Sequence, residues 1–147
     1  MADTTIQREI EDWICHRWLP SRSNRTFSKK KIRLSSGGVF EFDAVSDDET
    51  IAANISTSSA LTSGGKRGSG KLQKIRADIY FLLLLPDSVK KRLLVFTEPD
   101  MVELCQKEQK NGRIPQNIEI IVADLPENLK SKLVNAKKNA SREVTPQ

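Results

Sequence analysis

Cysteine, histidine and aromatic residues are all scarce in this chain, and each shortage removes a class of protein. Two cysteines, Cys15 and Cys105, do not make a disulfide framework. Both stand among apolar neighbours in stretches of helical pattern, where a buried free thiol is the expected state. That usage fits a reducing compartment, and the expected location is cytoplasmic. His16 follows Cys15, but adjacent helix positions point about 100° apart. No second Cys/His pair exists to complete a zinc site. As the only histidine, His16 also lacks partners for a hydrolytic relay and is expected on a helix surface. Aromatic residues are 5% of the chain, and Trp13, Trp18 and Tyr80 do not interleave with basic residues. A stacking platform for single-stranded nucleic acid is therefore not expected. The longest apolar run, Ile79 to Leu85, falls far short of the roughly 20 residues that span a bilayer. Met1 to Thr5 do not open a secretory leader, so a soluble protein with no membrane partner is expected.

What is present is a chain of 147 residues with 24 Lys and Arg against 19 Asp and Glu. The length suits one domain, expected over residues 1–140, and the balance of +5 leans mildly toward polyanionic partners. Thr4 and Gln7 have capping-box spacing, and Ile6, Ile10, Trp13 and Ile14 recur at helical period. This predicts a first helix that stops before Pro20. A polar, basic stretch from Ser21 to Lys31 reads as a loop into a short strand around Ile32 to Leu34. After the turn signal Ser35-Ser36-Gly37-Gly38, Val39 to Val45 alternates, with Phe40, Phe42 and Ala44 on one face and Glu41 and Asp43 on the other. Thr50 to Ser56 is the next strand, with Ile51, Ala53 and Ile55 on one face and Ala52, Asn54 and Ser56 on the opposite one.

Residues 57–70 are rich in Ser, Thr and Gly and read as a flexible basic loop. Helix is predicted over Lys71 to Leu85, strand over Arg92 to Thr97, and helix from Pro99 to the C-cap pair Asn111-Gly112. Strand follows over Ile118 to Ala123, then a basic helix over Leu129 to Ala140 and a frayed tail over 141–147. The fold class is thus α/β, in the order α-β-β-β-α-β-α-β-α, with a mixed sheet covered by helices on both faces.

This order, with Asp43 on the second strand of the meander, resembles the restriction-endonuclease-like PD-(D/E)xK nuclease superfamily over roughly Ile6 to Ala123. The resemblance implies a metal-dependent DNA endonuclease: an Asp on the second core strand, a Glu-x-Lys on the third, carboxylates holding Mg²⁺ and a lysine that positions the attacking water. Asp43 stands at the first of these places. Asn54-Ile55-Ser56 stands where Glu-x-Lys is expected, so a displaced site needs substitutes. Glu41, two residues before Asp43, and Glu9, at the edge of the first helix's apolar face, are the candidate additional metal ligands. Lys71 or Lys74, at the start of the second helix, is the candidate for the lysine. Asp43, Glu41, Asn54, Ser56 and Lys71 thus form the candidate catalytic set, with Mg²⁺ held by Asp43, Glu41 and Glu9. The plain reading of Glu41 and Asp43 is a polar strand face, but in a sheet covered on both sides an inward Asp is costly without a partner.

Gly65 to Lys71 matches GxxxxGK, but Leu72 stands where a phosphate-binding loop needs Ser or Thr. A nucleotide-hydrolysing loop is rejected. Lys66, Arg67, Lys71, Lys74 and Arg76 crowd the start of the second helix instead, where cations are unfavourable unless an anion is near. They are the candidate nucleic-acid contacts, with the backbone N–H groups of the loop. The expected function is a nucleic-acid-acting domain, a DNA endonuclease with a displaced site. The alternatives are an inactive nuclease-fold module that binds DNA or a protein partner, and a small-molecule or structural α/β domain. Nuclease domains of this size commonly dimerise, which makes a homodimer a further expectation.

Overall fold

A computed structural model of the protein describes residues 5–60 and 69–144. The first helical segment comprises α1 (Thr5–Trp13), a π-helical turn (Ile14–Trp18) and α2 (Leu19–Ser23). Pro20 does not end it. The Leu19 N–H reaches back to the Ile14 carbonyl, and the wider π turn lies where a proline ring would otherwise meet the carbonyl four residues earlier. Asn24, in the left-handed region at φ 55°, closes the segment with its N–H on the Pro20 carbonyl.

Three strands follow: β1 (Phe27–Arg33), β2 (Val39–Ser46) and β3 (Ile51–Ser56). β1 is longer than its sequence suggests, because Ser28 to Lys31 are all exposed and nothing apolar marks them as strand. Pairing with β2 makes them so. The β2–β3 hairpin is held by Asp48, whose carboxylate accepts from the Ser46 and Thr50 hydroxyls and the Thr50 N–H. These bonds, with Arg25 beside it, hold the carboxyl well below the usual carboxylate range.

The rest alternates helix and strand: α3 (Ser69–Leu83), β4 (Lys91–Phe96), α4 (Pro99–Lys110), β5 (Ile118–Val122) and α5 (Glu127–Val144). Helix α3 begins at Ser69, so the expected loop over 57–70 is shorter at its end. Thr57 and Ala60 are buried rather than solvated, and the Ala60 N–H donates to Asp100; residues 61–68 lie outside the described residues. The expected tail over 141–147 is helical as far as Val144. No described helix is long and apolar enough to cross a membrane.

The sheet is five-stranded, open and mixed, in the order β1-β2-β3-β4-β5. β1, β2 and β3 are successively antiparallel, and β4 and β5 are parallel to β3. Strand alternation divides the core between two faces. Ala52, Leu94 and Phe96 join α3 and α4 on one side, while Ala53, Ile55 and Val95 join α1 and α5 on the other. β3 lies between both layers and every one of its residues is buried.

One break in alternation positions the site. Ser28 pairs with Val45 and Lys30 with Phe42, so two residues of β1 span three of β2. This bulge lies at Asp43–Ala44 and shifts the residues beyond it to the opposite face. Phe42 packs with α3 and Val45 does too, while Ala44 turns to the α1 layer. The expected shared face of Phe40, Phe42 and Ala44 is thereby corrected.

Candidate functional site

β2 and β3 pair at Ala44–Ala53 and Val45–Ala52 and then part. Beyond that point the Ile55 N–H has no β2 carbonyl opposite, and it donates to Asp43 Oδ2 at 2.8 Å instead. The bulge re-aims Asp43 into the gap, and its carboxylate continues the ladder. Burial raises the pKa of Asp43, only partly offset by the Ile55 N–H and by the charges of Lys29 and Lys74.

Two further carboxylates, on different helices, lie near enough to feel its charge. Glu11 of α1 has its pKa raised, first by burial and then by the charge of Asp43. Asp78 of α3 is pushed up to about 6 by burial, with Lys74 opposing and Asp43 reinforcing the shift. Lys74 therefore acts on all three carboxylates from α3, and Lys29 acts on Asp43 and Glu11 from β1. On the α1 side, Glu11, Asp12, Cys15, His16, Lys29 and Asp43 line a cavity of about 30 Å³, room for about one water-sized group. Cys15 is no thiolate there, since burial pushes its pKa to about 11.

The residues singled out in the sequence divide sharply. Asp43 and Lys74 are in the cluster. Glu41 is half-exposed, 3.9 Å from Lys29, and reaches Asp43 only through its charge. Glu9 turns to α5, where Lys132 Nζ lies 3.1 Å from its carboxylate. Asn54 is buried and donates through Nδ2 to the Asp78 carbonyl at 3.2 Å. Ser56 Oγ accepts from the Ser58 N–H, and Lys71 Nζ donates to the Ser59 carbonyl. Arg76 pairs with the buried Glu108, which Arg113 also holds. Lys66 and Arg67 lie outside the described residues.

Glu11 and Asp78 are absent from the sequence-based set. Asp78 does carry a signal, as the one acid in the increasingly apolar half of α3. Both cysteines are buried free thiols, and His16 is exposed on the helix surface, as expected.

Among the described residues, no group of three or more His, Cys, Asp and Glu side chains is placed to hold a metal ion. Mg²⁺ is commonly bound by only one or two carboxylates, with waters and substrate phosphates completing its shell. Asp43 and Glu11, hard oxygen donors on one small cavity, fit that kind of site. Comparison with protein-family models, curated proteins and solved structures finds no match to this chain. Fold and site together define an α/β domain with an open mixed sheet and a carboxylate cluster where β2 and β3 part.

Proposed function

We propose that this chain is a nucleic-acid-acting domain of the restriction-endonuclease-like type, a metal-dependent phosphodiesterase whose site is assembled from displaced residues. The observation that carries the reading is Asp43, fixed by the Ile55 N–H where β2 and β3 part and sharing one small cavity with Glu11, with Lys74 of α3 near enough for its charge to bear on both. An antiparallel meander joined to two parallel strands, with a helix before it and another between β3 and β4, supports the same reading.

Asp43 and Glu11 would hold Mg²⁺, which would stabilise charge on the attacking and leaving oxygens. Asp43 is fixed for this by the Ile55 N–H, which leaves its other oxygen free of that bond. Lys74 takes the place of the lysine lost at Ser56, because its charge bears on the carboxylates whereas Lys71 is drawn to the Ser59 carbonyl. Asp78, one turn beyond Lys74 on α3, lies near enough for the Lys74 charge to oppose its raised pKa.

Titration with Mn²⁺ and cleavage of duplex DNA in Mg²⁺ test the assignment. Asp43→Ala should abolish metal binding, and Lys74→Ala should slow cleavage by about 10²-fold or more, while Lys71→Ala leaves metal binding unchanged. Identical metal binding by the wild type and Asp43→Ala would remove the proposed site. A second reading, an inactive module that binds nucleic acid without cutting it, draws on Asn54 and Ser56. Both spend their polar groups on structural hydrogen bonds where the family would place Glu and Lys. Nucleic-acid binding with no cleavage in Mg²⁺ or Mn²⁺ would select it.

A further inference from the structure

β1 is an edge strand in which four consecutive residues, Ser28 to Lys31, are exposed. Its two faces differ. Ile32 is buried in the α3 layer and Phe27 in the α1 layer, so strand alternation puts Lys29, Lys31 and Arg33 together on the α1 side. The register agrees: Lys29 lines the cavity that holds Asp43 and Glu11. From there Lys31 and Arg33 step away from the cluster, and both are exposed, as are their β2 partners Glu41 and Val39. Neither has a salt bridge or side-chain hydrogen bond among the described residues. Lys30, on the opposite face, pairs with Glu49 at 3.0 Å, and Lys29 lies at a longer 3.9 Å from Glu41.

We infer that Lys29, Lys31 and Arg33 form a cationic track on β1 that binds a nucleic-acid phosphodiester backbone and leads it to the Asp43 cluster. The inference rests on the nucleic-acid reading above and adds a surface to it, distinct from the basic residues at the start of α3. Three cations at alternate strand positions lie about 7 Å apart and cover roughly 13 Å. A duplex offers a phosphate about every 3.4 Å of axis on each strand, so a segment of backbone laid along β1 meets every one of them. The carboxylate cluster at one end would repel phosphate by itself. Placing the cations beside it offsets that repulsion along the path of approach. Recognition of this kind reads the backbone and not the bases.

Lysines on an edge strand also guard against sheet-to-sheet pairing, and charge sign separates the two roles. A guard works with either sign, whereas a phosphate track needs positive charge. The test measures binding of a duplex DNA and of an RNA of the same sequence across a salt series. The proteins are the wild type, Lys31→Glu/Arg33→Glu, Lys31→Gln/Arg33→Gln and a control, Lys90→Glu/Lys91→Glu. The control changes net charge equally at the far ends of β3 and β4. The glutamine pair removes the cations without setting new acids opposite Glu41, so it keeps the test valid if charge reversal unfolds β1.

The track predicts at least about tenfold weaker binding for the reversal, and a salt slope lower by about 2 for the glutamine pair, with the control close to wild type. The DNA and RNA arms show which backbone is preferred. Wild-type affinity in both β1 variants, or an equal loss in the control, would overturn the track while leaving the nucleic-acid reading intact. Failure of the wild type to bind either polymer at low salt would overturn both.

Discussion

A carboxylate that is mostly buried and faced by other carboxylates prefers to be protonated, so the residues around Asp43 give the fold a pH dependence of definite sign. Asp78 is the clearest case, with its pKa at about 6 in the folded protein against an ordinary 3.8. A raised carboxyl binds its proton more tightly in the folded state than in the unfolded one. Its contribution is most favourable below the unfolded value, is lost as pH rises from about 4 to about 6, and stays lost above that. Asp78→Asn removes the titration without changing shape. It should raise stability at pH 7 by on the order of 1 kcal/mol, after discounting for partial solvent screening. The gain should vanish near pH 4. Urea unfolding at the two pH values measures it, and an equal effect at both would mean that burial does not penalise the Asp78 charge. A cation bound between the carboxylates would lower these pKa values, so added Mn²⁺ should shrink the gain at pH 7.

At the scale of elements, the cluster depends on how strands and helices end, and here the sequence is legible only in part. The order of elements, the alternation of β3 and the C-cap at Gly112, which has φ 81°, all come from local pattern and turn chemistry. The bulge does not, because Val39 to Val45 alternates without a break and only the count of residues across β1 reveals the extra one. The helix acids show the same limit. Glu9 and Glu11 flank the Ile6–Ile10–Ile14 stripe about equally, one on each side. Only the direction in which α1 crosses the sheet sends Glu11 to Asp43 and Glu9 to Lys132. Lys71 and Lys74 are likewise one turn apart, and the path of the chain into α3 decides between them. Alternation alone puts Asn54 on the face opposite Ile55, but its donor role toward α3 needs the packed helix. Its bond to the Asp78 carbonyl makes a graded prediction. Asn54→Ala should cost about 1 kcal/mol, since that carbonyl lies within a helix and keeps its backbone partner. Asn54→Asp should cost more, setting a buried acceptor against an acceptor. Thermal unfolding at pH 7 distinguishes them, and equal costs would show that the amide only fills space.

For the molecule as a whole, the question is whether the two layers on the sheet are separate cooperative units. The α1–α5 layer contains Ile10 and Leu19, and the α3–α4 layer contains Phe42, Phe96 and Met101, all fully buried. Neither layer owns the sheet. In β4, Leu93 and Val95 belong to one layer while Leu94 and Phe96 belong to the other. Losing either layer exposes half of β3 and β4, strands buried on both faces, and leaves their remaining half without support. The domain should therefore unfold in one step. Ile10→Ala should cost about 2–5 kcal/mol and Phe96→Ala about 3–5 kcal/mol, large fractions of the stability of a domain this size. Trp13 and Trp18 both report on the α1 side, whereas far-UV circular dichroism reports on every element. The two signals should give one coincident transition in the wild type and in both variants, only with lower midpoints. A tryptophan transition that runs ahead of the circular dichroism in Ile10→Ala would show α1 leaving an intact sheet. The cavity that Asp43 and Glu11 share would then open before the sheet unfolds.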